Sequence, residues 1–207
     1  GSVAIGKGAL QTNTTGVENV AVGLNALYGN TTGKANTAIG YSALQTNTTG
    51  NYNIAIGFRS AYTNTIGKEN VAIGAYALNT NTTAMRNVAV GGSALRYNTI
   101  GDENVAVGFN SLNKNTTGKM NVSIGHFAMW TNTIGNQNTA VGTGAMQYNT
   151  TGGNNTALGT YTLFNNTTGD RNTALGNQAL RNNTIGKQNS AVGMYALYNN
   201  TTGDYNT

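Results

Sequence analysis

The chain has no cysteine, no proline and a single histidine, and only 8% of its residues are charged. Without cysteine there is no disulfide scaffold, and the compartment is left open. His126 is one variant at a position that changes freely from copy to copy, so it reads as neither a catalytic base nor a metal ligand. The many Thr and Ser hydroxyls therefore lack a base to activate them. The six carboxylates are dispersed: Asp102 and Glu103 are adjacent, Glu18 stands alone, and none has partners at ligand spacing. A calcium-binding nonapeptide array would need Asp in every turn. No apolar run approaches membrane-spanning length, and no signal peptide is visible. These absences point away from an enzyme, a cofactor or metal, and membrane insertion by this segment.

What is present is a repeat. The stretch from Asn36 to Tyr52, NTAIGYSALQTNTTGNY, recurs every seventeen residues along the whole chain with no insertion or deletion. With Asn36 in slot 1, Asn returns there at Asn19, Asn53, Asn70, Asn87, Asn104, Asn121, Asn138, Asn155, Asn172 and Asn189. Slot 3 is Ala with Ser123 as the one exception, slot 4 is Ile, Val or Leu, and slot 5 is always Gly. Slot 9 is Leu or Met except at Ala61, slots 12 and 13 are always Asn-Thr (as at Asn47-Thr48), and slot 15 is Gly except at Ala84. Slots 5 and 15 hold 23 of the 29 glycines, which makes them periodic punctuation and not a flexible linker.

A seventeen-residue period is too short for a two-helix repeat of roughly 30 residues or more, and it suits one rung of a solenoid. Slots 2 to 4 read as a short strand, closed by the slot 5 glycine. Slots 12 to 16 read as a turn, with Asn bonding its own backbone and the slot 15 glycine expected to supply a positive φ. Slots 6 to 11 admit a helical turn or a second strand, because Ala and Leu side by side at slots 8 and 9 break strict alternation. Rungs stacked about 4.8 Å apart would set like on like. The Asn residues of slots 1 and 12 are then expected to form amide ladders, and the slot 13 Thr a hydroxyl column. The expected fold is all-β: a parallel β-solenoid with one 17-residue coil per repeat.

Slot 2 shifts from mostly Val or Ile to Thr or Ser from Thr139 onward. This is a gradient and not a boundary, so residues 1–207 are expected to form one array of about twelve repeats. Gly1-Ser2 resembles a cloning scar and both ends lack caps, so the expectation is a stretch of a longer fibre. The slot 3 alanines require something close opposite them, either the far wall of the same coil or another chain. A thin coil that orders seventeen residues around two large aliphatics favours another chain.

The net charge is +5, but the charges fall in two sets. Slots 16 and 17 hold six cations and all six carboxylates, among them Lys34, Lys68, Glu69, Asp102, Glu103, Lys119, Asp170 and Arg171, a solvated corner whose signs cancel. The excess is Lys7, Arg59, Arg96, Lys114 and Arg181, which lie coils apart and do not form a nucleic-acid stripe. These five occupy slots 6, 7, 10 and 11, which also hold fourteen of the sixteen aromatics. The candidate ligand-binding face is Tyr28, Tyr41, Phe58, Tyr62, Tyr76, Phe109, Phe127, Trp130, Tyr161, Phe164, Tyr195 and Tyr198, with Tyr97 and Tyr148 beside them. Rings with nearby Asn, Gln and Arg can stack on sugars and bond their hydroxyls. The same rings could instead pad the space between chains. The slot 13 Thr column also admits an ice- or crystal-surface-binding solenoid.

The strings Ser2-Val-Ala-Ile-Gly6, Asn70-Val-Ala-Ile-Gly74 and Asn121-Val-Ser-Ile-Gly125 resemble the NSVAIG signature of the YadA-like head repeats of trimeric autotransporter adhesins. The longer unit, with its ALxxNTTG half, looks like repeats of phage-type tail-fibre proteins. The resemblance covers all the repeats, although the head repeat is a few residues shorter. It implies a left-handed β-roll and a homotrimer displayed on a bacterial surface or a virion. It also implies cell adhesion or host recognition through a glycan or protein receptor on a cell or matrix. No functional residue is carried over, because the shared positions are structural.

Overall fold

The computed structural model describes all 207 residues. Twelve strands of three residues carry the fold, β1 (Val3–Ile5), β2 (Val20–Val22), β3 (Thr37–Ile39) and onward at every seventeenth residue to β12 (Ser190–Val192), and there is no helix. They form one sheet in sequence order, each strand parallel to the next and aligned slot on slot, as Val105 on Val122 and Ala106 on Ser123. The chain is a parallel β-solenoid with one rung per repeat. Alternation along each strand turns slot 3 inward and slots 2 and 4 outward. The slot 3 residues from Ala21 to Ala174 are accordingly fully buried.

The wall opposite the alanines belongs to the same chain, not to a neighbouring one. Slots 8 and 9 supply it, with Ala26, Leu27, Ala43, Leu44 and Met129 fully buried against the slot 3 column. The single slot 3 serine shows the contact directly. The Ser111 hydroxyl at slot 8 sits 2.8 Å from Ser123 Oγ and donates to the Ser123 carbonyl, and Ser123 donates to the Ala128 carbonyl at 2.9 Å. A buried hydroxyl on one wall is met by a buried hydroxyl on the other. The expectation that a second chain would close the alanine column is therefore corrected: Ala and Leu across one thin coil fill it.

Slots 6 to 11 are neither a helical turn nor a strand. They form a continuous turn in which φ alternates in sign. The slot 5 glycines lie near +130°, and slots 7 and 9 are left-handed in every copy, as at Asn110 (φ 55°) and Leu112 (φ 50°). Alternation directs every second peptide along the rod axis. The Asn25 N–H reaches back to the Lys7 carbonyl at 3.0 Å, and the Leu27 N–H reaches forward to the Ala43 carbonyl at 3.0 Å. Intervening peptides close tight turns inside the rung, as Asn30 N–H to the Leu27 carbonyl at 3.2 Å. Non-glycine residues in this region cost roughly 1–2 kcal/mol each, and the inter-rung hydrogen bonds hold them there.

The third side is organised by the two asparagine columns. Asn36 donates to Asn19 Oδ1 at 3.2 Å, and Asn70 donates to Asn53 Oδ1 at 3.2 Å, so like sits on like along slot 1. At slot 12, Asn47 donates to Asn30 Oδ1 at 2.8 Å and to its own turn through the Gly50 carbonyl at 3.0 Å. The slot 1 residue Asn36 reaches that same Gly50 carbonyl at 2.8 Å. Both ladders thus converge on the slot 15 carbonyl, and this decides why slot 15 is Gly. Its φ is not left-handed, contrary to expectation; the positive φ of this corner falls on slot 17, as at Met120 (56°). A Cβ at Gly101 would collide with Asn98 Oδ1 and the Gly118 carbonyl, so the constraint is room. Ala84 shows the cost. Asn87 turns its amide to the Met85 carbonyl at 3.2 Å instead of to slot 15. Thr83 also lacks the inter-rung N–H bond that Ile66 and Ile100 make at 3.3 Å.

Candidate recognition face

The wall that buries slots 8 and 9 turns slots 7 and 10 to the outside, on the far side of the core from the outward strand residues. Slot 6 flanks it after the glycine bend, and slot 11 follows it. Packing joins these slots into one surface. Tyr41 stacks on Phe58 with centroids 5.2 Å apart and planes 12° from parallel, and Phe58 meets Tyr76 edge-on at 5.3 Å. Phe109, Phe127 and Trp130 form a second group, at 5.9 and 5.7 Å. Tyr161 and Tyr148 both pack edge-on to Phe164, and Tyr195 packs on Tyr198 at 5.5 Å. Tyr28 is half-buried and stands outside these groups. Inside the rod, Phe109 and Phe58 leave 53% and 42% of their surface exposed, so the face is open.

Four of the five unbalanced cations are held by rings. Arg59 lies 5.1 Å from the Tyr62 ring centre and 5.6 Å from that of Phe58. Arg96 lies over Tyr76 and Tyr97, at 4.7 and 5.2 Å. Lys114 is 4.3 Å from the Trp130 ring. Arg181 sits between Phe164 and Tyr198 and donates to the Tyr198 hydroxyl at 3.0 Å. Such contacts fix a cation without neutralising it. His126 takes its place in the same surface, stacked on Phe109 at 5.7 Å and edge-on to Phe127 at 4.3 Å.

The acidic groups are elsewhere. All three ion pairs lie at the slot 16–17 corner: Arg86 with Glu103, Lys119 with Asp102 and Lys187 with Asp170. Burial alone would raise the Asp102 carboxyl. Hydrogen bonds from Lys119 and the Met85 N–H, with the charges of Lys119 and Arg86, hold it below the usual carboxylate value. An open hollow of about 460 Å³ at this corner is lined by both signs, including Asp170, Arg171, Lys187 and Asp204. Nowhere do three His, Asp or Glu converge as metal ligands.

The fixed polar columns are committed to structure. The slot 13 hydroxyls each donate to the carbonyl of the next slot 13, as Thr48 to Thr65 at 3.1 Å, so their protons do not face solvent. Among the slot 12 Asn residues of the Asn-x-Thr sequences, those inside the rod, such as Asn30 and Asn47, are fully buried and closed to modification, while Asn13 and Asn200 on the end rungs are partly exposed.

Two features escaped the sequence reading. One is the left-handed backbone of slots 7, 9 and 17; its signal was the absence of Val, Ile and Thr from all 36 of those positions in a chain rich in them. The other is the outward stripe of slots 2 and 4. There Ile39, Ile73, Ile124 and Leu158 keep 37–40% of their surface exposed in the middle of the rod. No protein-family model, curated protein or solved structure matches the chain.

Proposed function

We propose that the chain is a non-enzymatic segment of an extracellular fibre that presents the aromatic and cationic face to a glycan or protein receptor on a cell or matrix. The observation that carries this is the division of labour between slots. Slots 1, 3, 8, 9, 12 and 15 build and close every rung, while slots 6, 7, 10 and 11 change freely and yet gather the rings and the uncompensated cations on one side. A scaffold that needed only to be rigid has no use for gathering the uncompensated cations there.

The fibre reading includes assembly as a homotrimer. The outward Val and Ile stripe lies across the core from the aromatic face, so copies could cover it while leaving the face open. Covering a partly exposed aliphatic is worth roughly 0.5–1 kcal/mol per residue; slot 4 is aliphatic on all twelve rungs, and slot 2 on seven, six of them before Val122 and none after it. The NSVAIG-like strings, with the YadA-like head and tail-fibre repeats they resemble, support the same reading. Light scattering after size exclusion tests the assembly: a trimer is expected, and a clean monomer at micromolar concentration removes it. Glycan-array and cell-binding measurements with Trp130→Ala and Tyr198→Ala test the face. Reduced binding is expected, and unchanged binding makes those rings packing only.

A further inference from the structure

The receptor-contact reading leaves the ligand class open, and the distribution of charge narrows it. Lys7, Arg59, Arg96, Lys114 and Arg181 supply the whole net charge of +5, and none is within ion-pair distance of a carboxylate. A protein neutralises surface cations easily by placing Asp or Glu one rung away, as this chain does at its corner. On the face it places rings instead. The Arg59, Arg96 and Arg181 side chains also carry buried Nε groups with no hydrogen-bond partner. The result is five unneutralised cations spread along the rod, four of them held by rings.

We infer that this face takes a linear acidic polysaccharide, a chain of sugars bearing carboxylate or sulfate groups, laid along the rod axis. Three observations carry the choice. The cations are spread from the first rung to the eleventh, about 48 Å at about 4.8 Å per rung, so a small acid would meet one and a polymer several. Their mean spacing, about 12 Å at about 4.8 Å per rung, is comparable with the length of one disaccharide, so successive cations can meet successive disaccharides of an acidic chain. The rings are locked mostly edge-on against each other, as in Tyr148–Phe164 at 83° and Tyr161–Phe164 at 85°. They are not the row of open platforms on which bases stack, whereas their exposed edges and faces can still contact sugar rings.

This inference rests on the face being a sugar-contact surface, and the test separates the two. Binding is measured to alginate (carboxylated), heparin (sulfated), neutral dextran and oligothymidylate, each at about 50 and 300 mM salt. The protein is compared with two triple variants of equal charge change, Arg59→Gln/Arg96→Gln/Lys114→Gln on the face and Lys34→Gln/Lys68→Gln/Arg171→Gln at the corner. The expected result is binding to alginate or heparin at least tenfold tighter than to dextran, weakened by salt. The face triple should lose at least tenfold and the corner triple less than twofold. Dextran bound as well as the acidic chains would overturn the acidic preference and leave sugar contact standing. No binding to any sugar would overturn both. Equal losses in the two triples, or oligothymidylate bound as tightly as alginate, would reduce the effect to indiscriminate polyanion attraction and also overturn it.

Discussion

Removing one rung of the slot 1 ladder should damage the rod locally and severely. Asn104 is fully buried in the middle of the array. Its side chain makes four hydrogen bonds: it donates to Asn87 Oδ1 at 3.2 Å and to the Gly118 carbonyl at 2.8 Å, and its Oδ1 accepts from the Asn121 N–H and Nδ2, each at 3.0 Å. At 0.5–1.5 kcal/mol net apiece, Asn104→Ala should cost about 2–6 kcal/mol. Most partners keep a second bond: Gly118 retains Asn115, Asn87 retains the Asn104 N–H, and Asn121 Nδ2 retains Gly135. Only the Asn121 N–H is left buried and unpaired, at about 1–3 kcal/mol, which places the expectation near 4 kcal/mol. A solenoid interacts rung to nearest rung, so the loss should not be shared evenly. Hydrogen exchange should show protection collapsing in the rungs holding Asn87, Asn104 and Asn121 while those around Asn36 and Asn172 stay slow. Val105→Thr, a change other copies of slot 2 already carry, is the control and should shift stability by less than about 0.5 kcal/mol. If Asn104→Ala exchanges and melts like the control, the amide ladder is decoration on a fold held by something else.

Three further outcomes follow from the same geometry. Gly108→Ala should cost more than about 2 kcal/mol in thermal or denaturant unfolding, because φ is +128° and a Cβ would lie 2.7 Å from the Gly125 carbonyl oxygen; Gly153→Ala at a corner, with 3.1 Å to its nearest atom, should be far milder. Leu112→Ile should be less stable than Leu112→Met by about 1–2 kcal/mol although their volumes are similar, since φ is 50° there and a β-branched side chain fits that region worst; equal stabilities would refute the strain argument. Asp102 has a folded pKa below its unfolded value, so the stability it adds is complete above about pH 4 and is lost as pH falls through the folded value. The stability gap between the protein and Asp102→Asn should therefore close only in acid; a gap that closes between pH 5 and 8 would contradict the assignment.

How much of this was legible in the sequence depended on whether the cause was periodic and pairwise. The ladders were legible because identical buried polar residues at a fixed spacing have one economical arrangement, each bonded to its own copy. The strand was legible from Val-Ala-Ile and its closing glycine. The wall was not, because Ala-Leu at slots 8 and 9 suits several backbones; only the exclusion of Val, Ile and Thr from slots 7, 9 and 17 marks it. The slot 15 glycine was noticed for the wrong reason. Glycine there suggested a positive φ, but the requirement is space beside Asn98 Oδ1 and its equivalents, a tertiary fact created by the next rung. On the candidate face, the variability and the rings were visible in the string. The pairing of Arg96 with Tyr76 and of Lys114 with Trp130 was not, because it joins residues on different rungs and in different slots.

The same exclusion rule bears on how the face varies. Slot 7 changes in nearly every copy, yet it must be left-handed in all of them, as at Tyr76, Phe127 and Tyr161. Glycine meets that demand without a Cβ, and Asn and Ser are small; any larger occupant must be unbranched at Cβ. Tyr, Phe, Arg and Gln, the larger residues found there, all obey that rule, as Leu, Met and Glu do at the left-handed slots 9 and 17. Part of the aromatic richness is therefore a consequence of the backbone and needs no ligand to explain it. The cations are different. Slots 6, 10 and 11 are under no left-handed constraint, and nothing in the fold forbids a carboxylate at any of the four slots, yet all six carboxylates lie at the slot 16–17 corner. The charge asymmetry is thus the part of the face that scaffolding does not account for, and it is the part on which a ligand assignment should rest.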